Sequence, residues 1–256
     1  MKRLEFLKQG IAGGLSLAFL PKSGSLPACS PTPEETKGPF PTHDPSNYLR
    51  KDITAGKPGT PLKIHLSVYN ITQNCLPFPG AIVDVWHCDH QGEYSEYGGG
   101  RTGAMPASPP ADGSGPPTGP PPREPGQNLP PPPPGAMIQG HDHSGEHYLR
   151  GRQVTSQAGE VIFQSIFPGW YFSRAPHVHV EIRDSLGKSI LVTQIAFPEE
   201  VCQVVYSQGI YAPRGMPETS NADDMVFSDS LAREMPTLTG GLSGGFELRH
   251  SIYVKA

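Results

Sequence analysis

Apolar and polar residues alternate along much of this chain, and the alternation has the period of a strand rather than that of a helix. The stretches 62–69 (LKIHLSVY), 80–86 (GAIVDVW), 152–155, 160–166 (EVIFQSI), 176–182 and 189–197 (SILVTQIAF) are short and rich in Val, Ile and Phe, with Gly, Pro, Asn and Asp between them. Side chains two apart share a strand face, so each stretch offers one apolar face to a core. Helical spacing is nearly absent after residue 30, and only 199–207 supports a short helix. Short strands, turn residues and no internal repeat predict an all-β fold. The expected architecture is a β-sandwich of mainly antiparallel strands with long loops.

Composition changes that picture in one place. The 30 glycines and 31 prolines in 256 residues approach the level of a low-complexity chain. Fourteen of those prolines, however, fall between Pro106 and Pro134. Residues 104–135 offer only Met105 and Leu129 as larger apolar side chains, so they form no core and favour extended polyproline II. They are expected to be an insertion outside the sandwich. The rest reads as one domain, 30–256, preceded by an export signal at 1–29.

That signal rests on "MKRLEFLKQGIAGGLSLAFL", which has a basic start and an apolar run from Gly10 to Leu20 too short to span a bilayer comfortably. It is similar to twin-arginine signals, with Leu4 where the second arginine would stand. "LPAC" at 26–29 resembles a lipoprotein box, which makes Cys29 a candidate lipid anchor at the membrane. The expected location is periplasmic or cell-surface. Lipidation of Cys29 would leave Cys75, Cys88 and Cys202, room for one disulfide in an oxidising compartment. A net charge of −4, with no Lys/Arg run longer than two, argues against a nucleic-acid partner.

The chemistry gathers around "SRAPHVHVEI" at 173–182. On a strand, His177 and His179 stand side by side with Cα atoms roughly 6.6–6.8 Å apart. Two imidazoles hold a metal weakly, so further ligands are needed. Candidates are Glu181, the cluster "HDHSGEH" at 141–147, His87, His90 and the tyrosines. "FPGWYFSRAPHVH" places Tyr171 six residues before His177, and "WHCDHQGEYSEY" places Tyr94 after an apolar strand.

"PFPGAIVDVWHCDHQGEYS", "YLRGRQVTSQAGEVIFQSIFPGWYFSRAPHVHVEI", "LVTQIAF" and "EETKGPFPT" together resemble the intradiol ring-cleavage dioxygenases. The likeness is to their protocatechuate and catechol dioxygenase group, in its exported, lipoprotein-like branch. It covers most of residues 33–230 outside the proline insertion. The resemblance implies one non-haem Fe(III) per chain, held by Tyr94, Tyr171, His177 and His179. Arg174 and Gln194 would lie beside the substrate, and Tyr171 would leave the iron and take up a substrate proton. The implied reaction opens the ring of a catechol-type substrate with O2, between its two hydroxylated carbons, to a muconate-type diacid. Only five residues separate Tyr171 from His177, fewer than in the better-known members, which alters a pocket wall. The residue types suit the task, because phenolate is a hard anionic donor for a small, highly charged cation.

Two rival readings share these residues. A cupin-type Fe(II) or Mn(II) site would use His177, His179 and a carboxylate such as Glu181, and would give the tyrosines no part. A non-enzymatic module similar to the carboxypeptidase-regulatory sandwiches would use the strands alone. His141, His143 and His147 are expected on a solvated loop, and His87 and His90 as pocket or surface residues rather than ligands.

Overall fold

The computed structural model describes residues 29–98, 100–101 and 138–256. All of the expected signal at 1–29 except Cys29, and all of the proline-rich insertion at 104–135, lie outside the described residues. In chain order the strands are β1 (Pro61–Asn70), β2 (Leu76–Pro77), β3 (Ile82–Trp86), β4 (Gly100–Arg101), β5 (Ile138–Gln139), β6 (Arg150–Val154), β7 (Glu160–Ile166), β8 (His177–Arg183) and β9 (Ser189–Ala196). The helix α1 (Glu199–Tyr206) follows, and then β10 (Thr237–Gly241) and β11 (Gly245–Val254). The predicted strands and the short helix stand where the alternation placed them. The two-residue strands β2, β4 and β5, and β10 and β11, are additional.

One sheet has the order β10-β11-β1-β2, with β7 also paired to β1, and the other has the order β6-β3-β8-β9. Pairing is antiparallel except between β1 and β11, which run parallel from Leu62↔Phe246 to Asn70↔Val254. A parallel pair needs a long crossover, and the chain from β2 to β10, including the whole second sheet, supplies it. β4 and β5 form a separate two-stranded ribbon.

The core lies between the two sheets. Leu62, Ile64, Leu66 and Val68 of β1 and Phe246, Leu248, Ile252 and Val254 of β11 meet Val83 and Val85 of β3, Val178, Val180 and Ile182 of β8, and Ile195 of β9. Each such side chain contributes about 1.5–3 kcal/mol by leaving water.

β8 is buried at every position from His177 to Ile182, so both of its faces are covered. Its even-numbered residues fill the sandwich, and His177, His179 and Glu181 therefore point away from it. Cross-strand register aligns Arg150, Trp86, His179 and Gln194 in one row and Arg152, Asp84, Glu181 and Val192 in the next. The second row is a charge ladder. Asp84 accepts from Arg152 at 2.5 and 2.7 Å and from Arg183 at 2.9 Å, while Glu181 pairs with Lys37 and Arg183.

Cys29 is joined to Cys75, with Cα atoms 6.3 Å apart, inside the usual range for a disulfide. Cys29, the candidate lipid anchor, is thus tied to the turn after β1. Cys88 and Cys202 are buried free thiols.

Candidate metal centre

The outward face of β8 is roofed by the segment around Gly38–Phe40, by the loop carrying Tyr94 and by the loop 167–175. Phe40, Trp86, Cys88, Tyr94 and Tyr171 form an apolar cluster there, separate from the sandwich core. Phe40 stacks on Tyr94 at 4.7 Å and meets Tyr171 edge-on at 6.2 Å. Trp86 stacks flat on His179, with centroids 4.8 Å apart and planes 2° from parallel. The strand register that aligns Trp86 with His179 thereby fixes that imidazole's plane.

Three donor atoms converge in this cluster. His177 Nε2 lies 3.1 Å from His179 Nε2 and 3.2 Å from Tyr171 Oη. Two ligands at right angles, each about 2.1 Å from one ion, stand about 3 Å apart. His177 Nδ1 donates to the Ala175 carbonyl at 2.6 Å, which leaves the Nε2 lone pair aimed at the cluster. A carbonyl on the far nitrogen is the usual support of a metal-bound histidine. Tyr94 is fully buried against this group, its ring 5.7 Å from that of Tyr171 and 6.3 Å from that of His179.

The protonation states leave donor lone pairs open to a metal ion. Burial, reinforced by Arg174, holds the pKa of both His177 and His179 well below the ordinary value, so both are neutral with lone pairs available. Burial lifts the Tyr171 phenol to about 12, with Arg174 and hydrogen bonding to Tyr94 opposing it. Burial and then Tyr171 push Tyr94 well above the usual range. Only a small, highly charged cation holds such phenols deprotonated at neutral pH, so the donor set fits Fe(III). Glu181, the carboxylate a cupin-type reading needs, is taken by Lys37 Nζ at 2.8 Å and Arg183 Nη2 at 2.7 Å.

Arg174 closes the site on one side and is itself buried. Its Nε donates to both oxygens of Asp224 at 2.9 and 3.1 Å, Nη2 to Gln194 Oε1 at 2.6 Å, and Nη1 reaches Tyr171 Oη at 3.5 Å. Gln194 Nε2 donates to the Thr36 carbonyl at 2.9 Å, tying the roof to β9. Asp224 is fully buried and also accepts from the backbone of Ala175 and Val226. It had no sequence signal, because it sits in an irregular loop 50 residues from its partner.

Gly38 was also missed as a site residue. Its φ is +67°, and a Cβ there would lie 2.9 Å from His179 Cε1 and 3.3 Å from Nε2. Gly38→Ala should therefore displace the metal-facing edge of His179. The expected result is a larger loss of iron affinity than of melting temperature, since the backbone strain alone costs roughly 1–2 kcal/mol. Iron content and thermal melts of the same preparations check it, and an unchanged iron content at normal stability would contradict the close approach.

The remaining histidines divide. His87 is a core residue, bonded to Ser165 Oγ at 2.6 Å and the Cys88 carbonyl at 2.8 Å, with burial lowering its pKa to about 4. His147 is half exposed, as a loop residue would be, but the His143 side chain is only 11 % exposed. The expectation of a solvated loop fails there, because Glu93 and Glu146 enclose the ring.

No sequence-family model matches the chain, and no curated protein matches it either. Solved structures do. An intradiol ring-cleavage dioxygenase from Tetranychus urticae is 24% identical with a TM-score of 0.66, over 89% of this chain and 95% of that one. The dioxygenase domain of a dioxygenase–carbohydrate-binding fusion from Streptomyces sp. SirexAA-E is 21% identical, TM-score 0.52, over 89% and 99%. A hydroxyquinol 1,2-dioxygenase from Pseudomonas putida DLL-E4 is 15% identical, TM-score 0.51, over 89% and 67%. At these identities the shared property is the architecture, and this chain has the fold of the intradiol ring-cleavage dioxygenases.

Proposed function

We propose that the protein is an intradiol dioxygenase, which uses one non-haem Fe(III) and O2 to open a catechol-type ring between its hydroxylated carbons to a muconate-type diacid. The observation that carries this reading is the placing of Tyr171 Oη and His179 Nε2 at 3.2 and 3.1 Å from His177 Nε2, with Tyr94 packed against them. Tyr94, Tyr171, His177 and His179 would hold the iron. Fe(III) bound there would supply Lewis acidity that draws electron density from the substrate's ring.

The chain's own groups do the rest. A phenol lifted to about 12 by burial holds a proton more firmly than an ordinary phenol near 10. The deprotonated Tyr171 Oη is therefore a competent acceptor for a substrate hydroxyl proton. Arg174 keeps its charge because Tyr171 and Asp224 outweigh the burial that works against it. Held by Asp224 and Gln194, it is already oriented to stabilise negative charge on the substrate. Phe40, Trp86 and Phe227 exclude water from that charge and strengthen its effect.

The test is a visible spectrum of the purified, iron-loaded protein, followed by oxygen uptake with a panel of catechols. A coloured protein that consumes one O2 per catechol, incorporates both oxygen atoms and releases a diacid is expected. A colourless iron protein, or one inert towards every catechol, would end the reading.

We further infer export to an oxidising compartment, supported by the Cys29–Cys75 pair. Thiol counting on the natively secreted protein should find no accessible thiol when folded, two after unfolding and four after unfolding with reductant. Four thiols in the unreduced, unfolded chain would remove the disulfide, and three thiols with and without reductant would show Cys29 as a lipid thioether instead.

A further inference from the structure

We propose that Glu93, His141 and His143 form a second metal site, separate from the tyrosine–histidine centre, which takes a zinc-class divalent cation. One ligand atom from each of the three lies within 4.8 Å of the others. His141 Nδ1 is 2.9 Å from both oxygens of Glu93, and His143 Nε2 is 2.8 Å from Oε2.

The carboxylate is held before any ion arrives. Its Oε1 accepts from the backbone of Gly140 at 3.0 Å and His141 at 3.2 Å, and its side chain is only 9 % exposed. His143 is oriented from behind, because its Nδ1 meets Glu146 Oε1 at 2.6 Å. A carboxylate on the far nitrogen fixes the tautomer that presents Nε2 to a metal and raises its basicity. Lys57, 3.6 Å from Glu146 and 3.4 Å from Asp89, in turn holds that outer carboxylate.

The donor types select the ion. Two imidazoles and one carboxylate suit Zn(II) or its neighbours, whereas calcium and magnesium favour shells of oxygen alone. His141, with a side chain 70 % exposed, faces solvent. Water therefore fills the rest of the shell, as in three-ligand zinc sites. No phenol takes part, so the site lacks the anionic donors that favour Fe(III).

Its position suggests a structural task. The ion would join Glu93 to a loop 48–50 residues along the chain, and cross-links that close long loops restrict the unfolded chain most. Glu93 also immediately precedes Tyr94, so the same ion would steady the loop that carries that tyrosine. The proposal does not depend on the dioxygenase reading.

The test compares Zn(II) binding by the wild type and three variants, using calorimetry and metal analysis after gel filtration. The difference between wild type and His141→Ala counts this cluster alone, whatever the other centre holds. One equivalent of zinc should disappear in His141→Ala, an exposed substitution that leaves the fold intact. Glu146→Gln should weaken binding about 10–100-fold, the usual cost of losing an outer partner. His147→Ala, a neighbour outside the cluster, should bind as wild type does. Equal zinc in wild type and His141→Ala, or no zinc in either, would overturn the site.

Discussion

Tyr94→Phe is expected to strip the protein of iron while leaving its apo fold nearly as stable as wild type. The substitution removes one oxygen and keeps the ring that stacks on Phe40 at 4.7 Å. The packing cost is therefore small, and the lost buried hydroxyl accounts for about 1 kcal/mol. The metal loses an anionic ligand outright. Its affinity should fall by more than the ~10–100-fold that losing an outer-shell partner costs, and the residual colour should shift. Metal analysis, the visible spectrum and an apo-protein melt, taken together, separate the two effects. A variant with wild-type iron content and colour would show that Tyr94 is only part of the apolar roof.

Much of this architecture is legible in the sequence because it rests on a period of two. "HVHVEI" reads as a strand by alternation, and alternation alone decides that the histidines leave the sandwich while Val178, Val180 and Ile182 enter it. β11 is the instructive miss. Phe246, Leu248, Ile252 and Val254 alternate cleanly, but His250 interrupts the apolar face and Glu247 and Arg249 charge the other. β10 has no fully buried residue, so periodicity has nothing to report there.

The candidate site divides along the same line. Tyr171, Arg174, His177, His179 and Gln194, which the family resemblance implies from strands and short motifs, stand together in space. Residues that reach the site through long-range loops are not so implied. Gly38 matters because a ring edge lies where its Cβ would be, Asp224 because Arg174 arrives from 50 residues away, and Glu93 because two histidines meet it across the proline-rich segment. Local pattern carries no record of such distant partners. The Cys29–Cys75 pairing is invisible for the same reason.

Arg174 supplies the second large effect, and its burial shapes the experiment. Arg174 and Asp224 are both buried, and their ion pair closes at 2.9 Å, which removes the possibility of a solvated surface pair. Arg174→Ala should keep the four proposed ligands and the iron colour while losing about 10²–10³-fold in turnover, the usual cost of removing one preorganised charge stabiliser. It also strands the Asp224 carboxylate, and breaking a buried pair typically costs ~3–5 kcal/mol of stability. Lost stability by itself also slows an enzyme. Combining Arg174→Gln with Asp224→Asn removes both charges and keeps polar side chains, so the buried charge left alone in either single variant disappears. Stability should return towards wild type. Turnover should not, because no cation remains beside Tyr171 Oη to meet charge developing on the substrate. Recovery of both stability and turnover in the double variant, measured at matched iron content, would make Arg174 a structural ion-pair partner and leave the chemistry to the tyrosines and histidines.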